Sequence, residues 1–147
     1  MTKTPRGYMK YWKVIRQYIK ARYKISQVDL DVLLFMYDEG RFTRDRFDEF
    51  ARILTWDRMR FQRLHREGWF EIFRPRTKNL KTIYEMTSKA KNLVNEVYRK
   101  LNGEEIPMSK VANPMLRRNA KHSEKVYIDM IKEMNEFIRQ QRHQTPE

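Results

Sequence analysis

Eight basic side chains lie close together in the second third of the chain. The segment from 56 to 70 reads WDRMRFQRLHREGWF, and the segment from 73 to 81 reads FRPRTKNLK. Guanidinium and ammonium groups bind phosphate, and arginine and glutamine also fit the edges of guanine and adenine. The pattern therefore predicts non-covalent contact with a nucleic acid. The eight residues are Arg58, Arg60, Arg63, Arg66, Arg74, Arg76, Lys78 and Lys81.

The residues that could carry catalysis or hold a metal ion form no recognisable constellation. The chain has no cysteine, and its three histidines, at 65, 122 and 143, lack the spacing of metal ligands. Asp45, Asp48 and Glu49 share one side of a predicted helix, but arginines at 41, 44 and 46 alternate with them, which is typical of a salt-bridged surface. There is no glycine-rich phosphate loop and no Ser-His-acid arrangement. We therefore predict no enzyme activity, catalytic residue, metal site or cofactor.

The first basic segment is predicted to be the second helix of a helix-turn-helix. Thr43 begins a supporting helix, and a turn at residues 54 and 55 separates the two helices. Helical periodicity turns Phe61, Leu64 and His65 inward, so the opposite face, with Arg58 at its edge, is predicted to enter a major groove. The alternative is that this face is merely solvated. The residues predicted to read bases are Met59, Gln62, Arg63 and Arg66, with Gln62 and Arg63 as the principal ones.

The second basic segment is predicted to be the tip of a β-hairpin wing. Gly68 ends the preceding helix, residues 69–73 and 80–86 form the strands, and Pro75 and Asn79 turn the chain between them. The tip carries no acid, so it is predicted to lie along a DNA backbone or in the minor groove. A solvated hairpin is the alternative. The residues predicted to contact the backbone are Arg58, Arg60, Arg74, Arg76, Lys78 and Lys81.

A short pattern joins the wing to the helix that follows it. The letters GWF at 68–70 end a helix, and YEMTSKA at 84–90 follows the basic hairpin. This resembles the MarR-type winged helix-turn-helix DNA-binding proteins, in which a hydrophobic-Thr-x-Lys-Gly pattern follows the wing. The chain departs from that family at Ala90, where glycine is usual, and in a wing that lacks the aspartates of the family's Asp-x-Arg-Asp-x-Arg element. The resemblance covers roughly residues 26–102 and implies a distant relative; it does not extend to a small-molecule effector.

The first and last predicted helices each carry an apolar stripe. The first spans residues 5–23, and the last begins at Ser123. A small winged-helix core cannot cover both stripes completely, whereas a second copy of the chain can, and the resembled family builds a two-fold dimer from its terminal helices. The alternative is that both helices pack on their own core. The residues predicted at the homodimer interface are Tyr8, Tyr11, Trp12, Ile15, Ile19, Tyr127, Met130, Ile131, Met134, Phe137 and Ile138.

The distribution of charge points the same way as the two basic segments. The formal net charge is +13, and residues 1–27 carry eight Lys or Arg and no acid. Residues 28–51 carry seven acids and three bases, whereas residues 52–100 carry thirteen bases and five acids. Charge concentrated in this way is typical of a nucleic-acid binder. No apolar run approaches the roughly 20 residues of a membrane span, so we predict a cytoplasmic, DNA-associated protein without a membrane partner.

Taken together, the elements predict a single domain over residues 1–147, mainly α with a small β-hairpin wing. A winged helix-turn-helix core at 26–102 would be flanked by dimerisation helices within 1–25 and 104–147. The predicted function is a homodimeric transcriptional regulator that binds double-stranded DNA. Two alternatives stay open: a sequence-tolerant protein that organises, replicates or packages DNA, and a winged-helix module that binds protein or RNA.

Overall fold

The computed structural model describes residues 8–116 and 121–144 of the chain. Within them lie six α-helices, one short 3-10 helix and a two-stranded antiparallel sheet, which confirms the predicted fold class. The chain divides into two compact units: residues 26–95 form one, and residues up to 25 with those from 96 onward form the other. The elements are α1 Tyr8–Tyr23, α2 Gln27–Glu39, α3 Arg44–Ile53, α4 Met59–Arg66, β1 Phe70–Arg74, β2 Ile83–Met86, α5 Ser88–Leu101, the 3-10 helix Pro114–Leu116 and α6 His122–Gln144.

Residues 26–95 fold around a cluster of aromatic rings. The Ser26 side chain accepts a hydrogen bond from the backbone of Asp29 and so begins α2, which ends at Gly40 with a φ of 71°. Thr43 caps α3 in the same way, as predicted. Phe47 and Phe70 are fully buried between these helices and the hairpin, with ring centroids 6.2 Å apart. Aromatic side chains bury large apolar areas, so this cluster contributes strongly to the stability of the unit.

The wing is a short hairpin with an extra bridge beside it. Phe70 pairs with Met86, and the register shifts between Ile72 and Arg74. Phe42 forms an isolated antiparallel bridge with Tyr84 beside the hairpin. The second strand begins at Ile83 rather than at residue 80, because the chain before it is still closing the tip: the Thr77 N–H donates to the Leu80 carbonyl at 3.0 Å.

The unit that contains both ends of the chain is helical. α1 packs on α6, where the rings of Tyr11 and Phe137 lie 5.6 Å apart. Helix α6 begins at His122, one residue before the predicted start, and residues 1–7, including the predicted first turn of the N-terminal helix, lie outside the described residues. No helix in the described part of the chain is long and apolar enough to cross a membrane.

Four residues predicted at a dimer interface are already covered by the chain itself. Ile15, Ile19, Ile131 and Met134 are each at most 1% exposed. The prediction is corrected for these four, because the centre of each apolar stripe packs inside the monomer and only its margins stay accessible. Tyr8 lies at the start of α1, but its side chain is outside the described set. The half-buried margins comprise Tyr11, Trp12, Tyr127, Met130, Phe137 and Ile138.

Two buried asparagines fix the long connection between α5 and α6. The side-chain amide of Asn135 donates to the Ile106 carbonyl and accepts from the Ile106 N–H, both at 2.9 Å. Asn113 donates to the carbonyl of Pro107 at 3.0 Å and accepts from the backbone of Met115 at 3.1 Å. An irregular segment needs such partners, because its backbone groups have no helix or sheet to satisfy them.

Candidate nucleic-acid interface

Helix α4 is shorter than the 56–70 segment predicted from the sequence. It begins at Met59, whose N–H donates to the Asp57 carboxylate at 2.9 Å, and it ends at Arg66. Thr55 in the preceding turn has a φ of 57°, and the Trp56 N–H donates back to the Ala51 carbonyl at 2.8 Å. The start of α4 is therefore set by the Asp57 hydrogen bond and a tight turn, which hydrophobic periodicity does not reveal.

The inner face of α4 matches the sequence prediction. Phe61 is 2% exposed and Leu64 is fully buried, while His65 is half-buried with its ring 5.6 Å from that of Tyr84. The guanidinium of Arg44 lies 4.5 Å from the centroid of the Phe61 ring and also donates to the Arg58 carbonyl at 3.1 Å. These contacts hold α4 against α3 and the hairpin, and so fix which side of α4 faces away.

The outer face of α4 presents three of the four residues predicted to read bases. Met59 is 62% exposed, and Gln62 and Arg66 are also exposed. Arg58, predicted at the edge of this face, is exposed as well. The structure therefore brings a hydrogen-bonding amide, an apolar side chain and a guanidinium together on one short helical surface.

The fourth residue predicted to read bases, Arg63, is turned sideways. Its Nη1 and Nη2 atoms donate to the two oxygens of Asp29 at 2.8 and 2.7 Å, and Nη1 also lies 3.3 Å from Glu67. Arg60, predicted to contact the DNA backbone, donates to the same Asp29 carboxylate. Both predictions are corrected on this point, because a buried acid at the start of α2 draws these two guanidiniums away from the outer face. We call Asp29, Arg60 and Arg63 the Asp29 clamp.

Opposing effects act on the charges of the Asp29 clamp. Asp29 is 4% exposed, and burial alone would raise the pKa of its carboxyl. The hydrogen bonds from Arg63 and Arg60, together with the attraction of their positive charges, outweigh burial, so the pKa of Asp29 is lowered below its ordinary value. The bond to Asp29 raises the pKa of Arg63 in turn. Asp29 therefore stays a carboxylate at neutral pH, and its one negative charge faces the guanidinium groups of Arg60 and Arg63.

The end of α4 is joined to the start of α5 by two side chains that the sequence analysis did not single out. The Thr87 hydroxyl donates to the Gly68 carbonyl at 2.7 Å and accepts from the Ala90 N–H at 3.3 Å. The ammonium of Lys89 donates to the Glu67 carbonyl at 3.1 Å and lies 4.0 Å from the centroid of a Trp69 ring. Both residues belong to the Thr-Ser-Lys pattern at 87–89 after the wing, so that pattern was the sequence signal for these contacts.

The wing presents its charges unevenly. Arg76 and Lys78 at the tip are exposed, whereas Arg74 is half-buried and its Nη2 lies 3.5 Å from the Lys81 carbonyl. Lys81 forms an exposed ion pair with Asp45 on α3. Although the wing lacks aspartate, this pair connects its base to the helix-turn-helix. The tip residues are therefore the wing cations most open to a partner.

A second contact supports the first strand of the hairpin. The guanidinium of Arg41 lies 3.5 Å from the centroid of the Phe73 ring and 3.5 Å from the Glu85 carboxylate. Glu85 stands on the opposite strand, so one arginine contacts both strands.

The described residues contain no group of three or more His, Cys, Asp or Glu side chains able to hold a metal ion.

Residues 26–95 thus form a winged helix-turn-helix by their own elements. Helix α3, a tight turn and helix α4 are followed by an antiparallel hairpin with a basic tip, and an exposed polar face of α4 stands apart from the buried aromatic cluster. Comparison of the sequence with protein-family models and with curated proteins gives no match.

Solved structures similar to this chain include three of MarR from E. coli, from the family that the sequence pattern resembles. The reduced form is 15% identical, with 90% of this chain and 97% of that chain covered and a TM-score of 0.46. The oxidised form is 16% identical, with 90% and 95% covered and a TM-score of 0.45. A cysteine-to-serine mutant complexed with operator DNA is 16% identical, with 85% and 84% covered and a TM-score of 0.44.

Proposed function

We propose that this protein binds double-stranded DNA as a homodimer, with sequence preference, and regulates transcription by occluding a promoter. One observation carries the proposal: an exposed face with Met59, Gln62 and Arg66 lies on a helix whose other side is fixed by buried aromatic packing. A rigid helix with free polar side chains is what major-groove readout requires. Gln62 would pair with adenine and Arg66 with guanine, while Met59 would contact a thymine methyl group.

Phosphate contacts are proposed for the exposed cations around this face. Arg58 borders α4, and Arg76 and Lys78 form the wing tip without a neighbouring acid in the tip sequence. Lys13 on helix α1 is also exposed and is proposed as a further phosphate contact. Each phosphate neutralised by such a group releases a counterion, which would make binding strongly dependent on salt.

A homodimer is proposed from the margins of the terminal helices. Trp12 on α1 and Met130 on α6 are large apolar side chains that the monomer covers only in part. A two-fold axis through such a surface would pair identical patches and place two α4 helices about 34 Å apart, one turn of DNA.

Selection of bound duplexes from a random pool tests the proposed function directly. The expected result is a two-fold symmetric consensus whose half-sites are about one DNA turn apart. Recovery of duplexes with no consensus would favour the sequence-tolerant DNA-organising protein. Failure to retain any duplex at physiological salt would contradict DNA binding and favour the protein- or RNA-binding module.

Gln62→Ala and Lys78→Ala separate base readout from phosphate contact. Gln62→Ala should reduce discrimination between the selected and a random duplex by about 1–3 kcal/mol, because a bidentate base contact is lost. Lys78→Ala should weaken binding to both duplexes equally. It should also reduce the slope of the logarithm of the binding constant against the logarithm of the salt concentration by the amount expected for about one phosphate contact. Titrations of both duplexes over a series of salt concentrations measure both effects. Equal losses on the two duplexes from Gln62→Ala would remove that residue from the readout.

Sedimentation equilibrium tests the dimer. The wild-type protein should show twice the 18.3 kDa chain mass at micromolar concentration. Met130→Glu should shift the equilibrium toward the monomer, because a carboxylate would be buried against an apolar surface. Lys132→Glu, on the exposed side of the same helix, is the control and should leave the dimer intact. A monomer mass for wild type at every concentration would refute the dimer.

A further inference from the structure

Two of the four arginines on or beside α4 are engaged by one buried carboxylate. Arg63 donates hydrogen bonds to Asp29 from both terminal nitrogens, and Arg60 donates a third hydrogen bond to the same carboxylate. Arg58 and Arg66 are exposed and make no side-chain ion pair within the described residues. Half of the guanidinium groups on or beside the helix proposed to enter the groove are thus paired within the protein.

This arrangement changes how α4 would meet a phosphate backbone. Non-specific binding depends on the number of cations that can replace condensed counterions, and it is the same for every sequence. A guanidinium that is already paired with a buried carboxylate must break two charge-assisted hydrogen bonds before it can contact phosphate. The Asp29 clamp therefore lowers binding to random DNA while it leaves Gln62 and Arg66 free for base contacts.

The same bonds fix the orientation of α4. The guanidinium fork is planar and bidentate, so it restricts rotation as well as distance. Its acceptor lies in the first turn of α2, where Ser26 accepts from the Asp29 N–H at 3.2 Å and holds the backbone in place. Phe61 and Leu64 fix one side of α4 by packing, and the clamp fixes a second side by directed hydrogen bonds.

We propose that Asp29 is a specificity-determining residue that acts through Arg60 and Arg63. It positions the reading face of α4, and it withholds two cations from sequence-independent binding. Asp29 itself touches no base and is a positioning residue. This inference rests on the proposed function, because specificity has meaning here only if the protein binds duplex DNA.

Asp29→Asn and Asp38→Asn form a matched pair of test variants. Asp38 lies on the same helix, is exposed, and makes no ion pair within the described part of the chain, so its replacement changes the net charge equally. Asp29→Asn should raise affinity for a random duplex roughly tenfold at 0.1 M salt and steepen the salt slope by about one to two contacts relative to Asp38→Asn. Affinity for the selected duplex should rise less than about threefold, since the gain is offset by a less firmly oriented α4. The ratio of the two affinities should therefore fall several-fold.

Arg63→Gln and Arg66→Gln test the clamp without removing the buried carboxylate. Both remove one positive charge from α4, but only Arg63 is engaged by Asp29. In the wild-type background, Arg66→Gln should flatten the salt slope on a random duplex by about 0.9, and Arg63→Gln should change it by much less. In the Asp29→Asn background the two substitutions should have equal effects.

The outcomes distinguish this inference from the function on which it rests. If the wild-type protein binds no duplex, the proposed function fails. If the wild-type protein binds and Asp29→Asn behaves as Asp38→Asn does, the inference alone is overturned. Thermal unfolding establishes that each variant is folded at the assay temperature. Should Asp29→Asn not fold, equal slopes for Arg63→Gln and Arg66→Gln in the wild-type background would overturn the inference by themselves.

Discussion

Replacing Phe61 with alanine should lower the free energy of unfolding by about 3–5 kcal/mol and abolish duplex binding. Phe61 is 2% exposed and lies at the centre of the aromatic cluster. Its ring centroid is 4.8 Å from that of Tyr84, 5.2 Å from Phe47 and 5.5 Å from Phe70. Truncation would leave a cavity among rings that cannot close together, because α3, α4 and both strands meet there. Denaturant unfolding followed by circular dichroism measures the loss of stability.

Met59→Ala is the matched control on the same helix. Met59 is 62% exposed, so its removal should change stability by no more than about 0.5 kcal/mol. It should still reduce discrimination between duplexes if Met59 contacts a base. Phe61→Leu keeps most of the buried volume and should stay folded, which allows its DNA binding to be measured. If Phe61→Ala unfolds at the same denaturant concentration as wild type, the aromatic cluster is not what fixes α4.

The inner face of α4 could be predicted because burial follows a local period. Phe61 and Leu64 are three residues apart, and both are buried as that spacing requires. The start of the helix could not be predicted in the same way. It depends on whether one carboxylate, that of Asp57, turns back to the N–H of Met59, and the apolar pattern contains no information on that bond.

The Asp29 clamp was beyond prediction because it joins residues far apart in the chain. Asp29 precedes Arg60 by 31 residues and Arg63 by 34. Arg63 is on the predicted outer side of α4, but an arginine side chain is long enough to reach sideways to an acid on a neighbouring helix. Periodicity places a Cα atom on a face, whereas the position of a guanidinium depends on which partners the fold brings within reach.

The terminal helices show that the sequence pattern of a helix also fails to predict what its apolar side chains contact. Their apolar stripes could be read from the sequence. The pattern does not say whether a stripe is covered by its own chain or by a second copy. Ile15 and Ile131 are buried within the monomer, whereas Trp12 and Met130 are covered only in part. Which elements pack on an apolar stripe depends on the path of the whole chain, and that path cannot be read from the sequence of one helix.

Glu96 is a buried acid on α5, and the second large effect is expected from its removal. Glu96 is 3% exposed although it lies beside Val97, a departure from the pattern that the sequence analysis did not use. Its carboxylate accepts hydrogen bonds from the hydroxyls of Tyr18 at 2.9 Å and Tyr23 at 2.7 Å. Arg22 lies 3.4 Å away and also donates to the Tyr18 oxygen at 2.7 Å. A buried acid therefore joins α5 to α1.

Glu96→Ala should lower the free energy of unfolding by about 2–4 kcal/mol, because two tyrosine hydroxyls lose their acceptor. Arg22 adds less, since its side chain is 38% exposed and water can solvate it. Glu133→Ala is the control: Glu133 and Lys10 form a largely exposed pair at 3.7 Å, whose loss should cost less than about 1 kcal/mol. Denaturant unfolding of both variants measures the difference. Equal costs would show that the buried acid contributes no more than a surface one.

The tyrosines provide an independent test of the same contact. Burial, followed by the hydrogen bond to Glu96, raises the pKa of Tyr23 to about 12 from its ordinary value of 10.0. Because the folded pKa is the higher one, this contribution to stability is complete below pH 10 and is lost as the pH rises through about 12. Ultraviolet titration of tyrosinate should show Tyr23 ionising closer to 10 in Glu96→Ala, provided that variant is folded. An unchanged titration would mean that burial alone protects the hydroxyl, and the carboxylate would then have no part in holding α1 to α5.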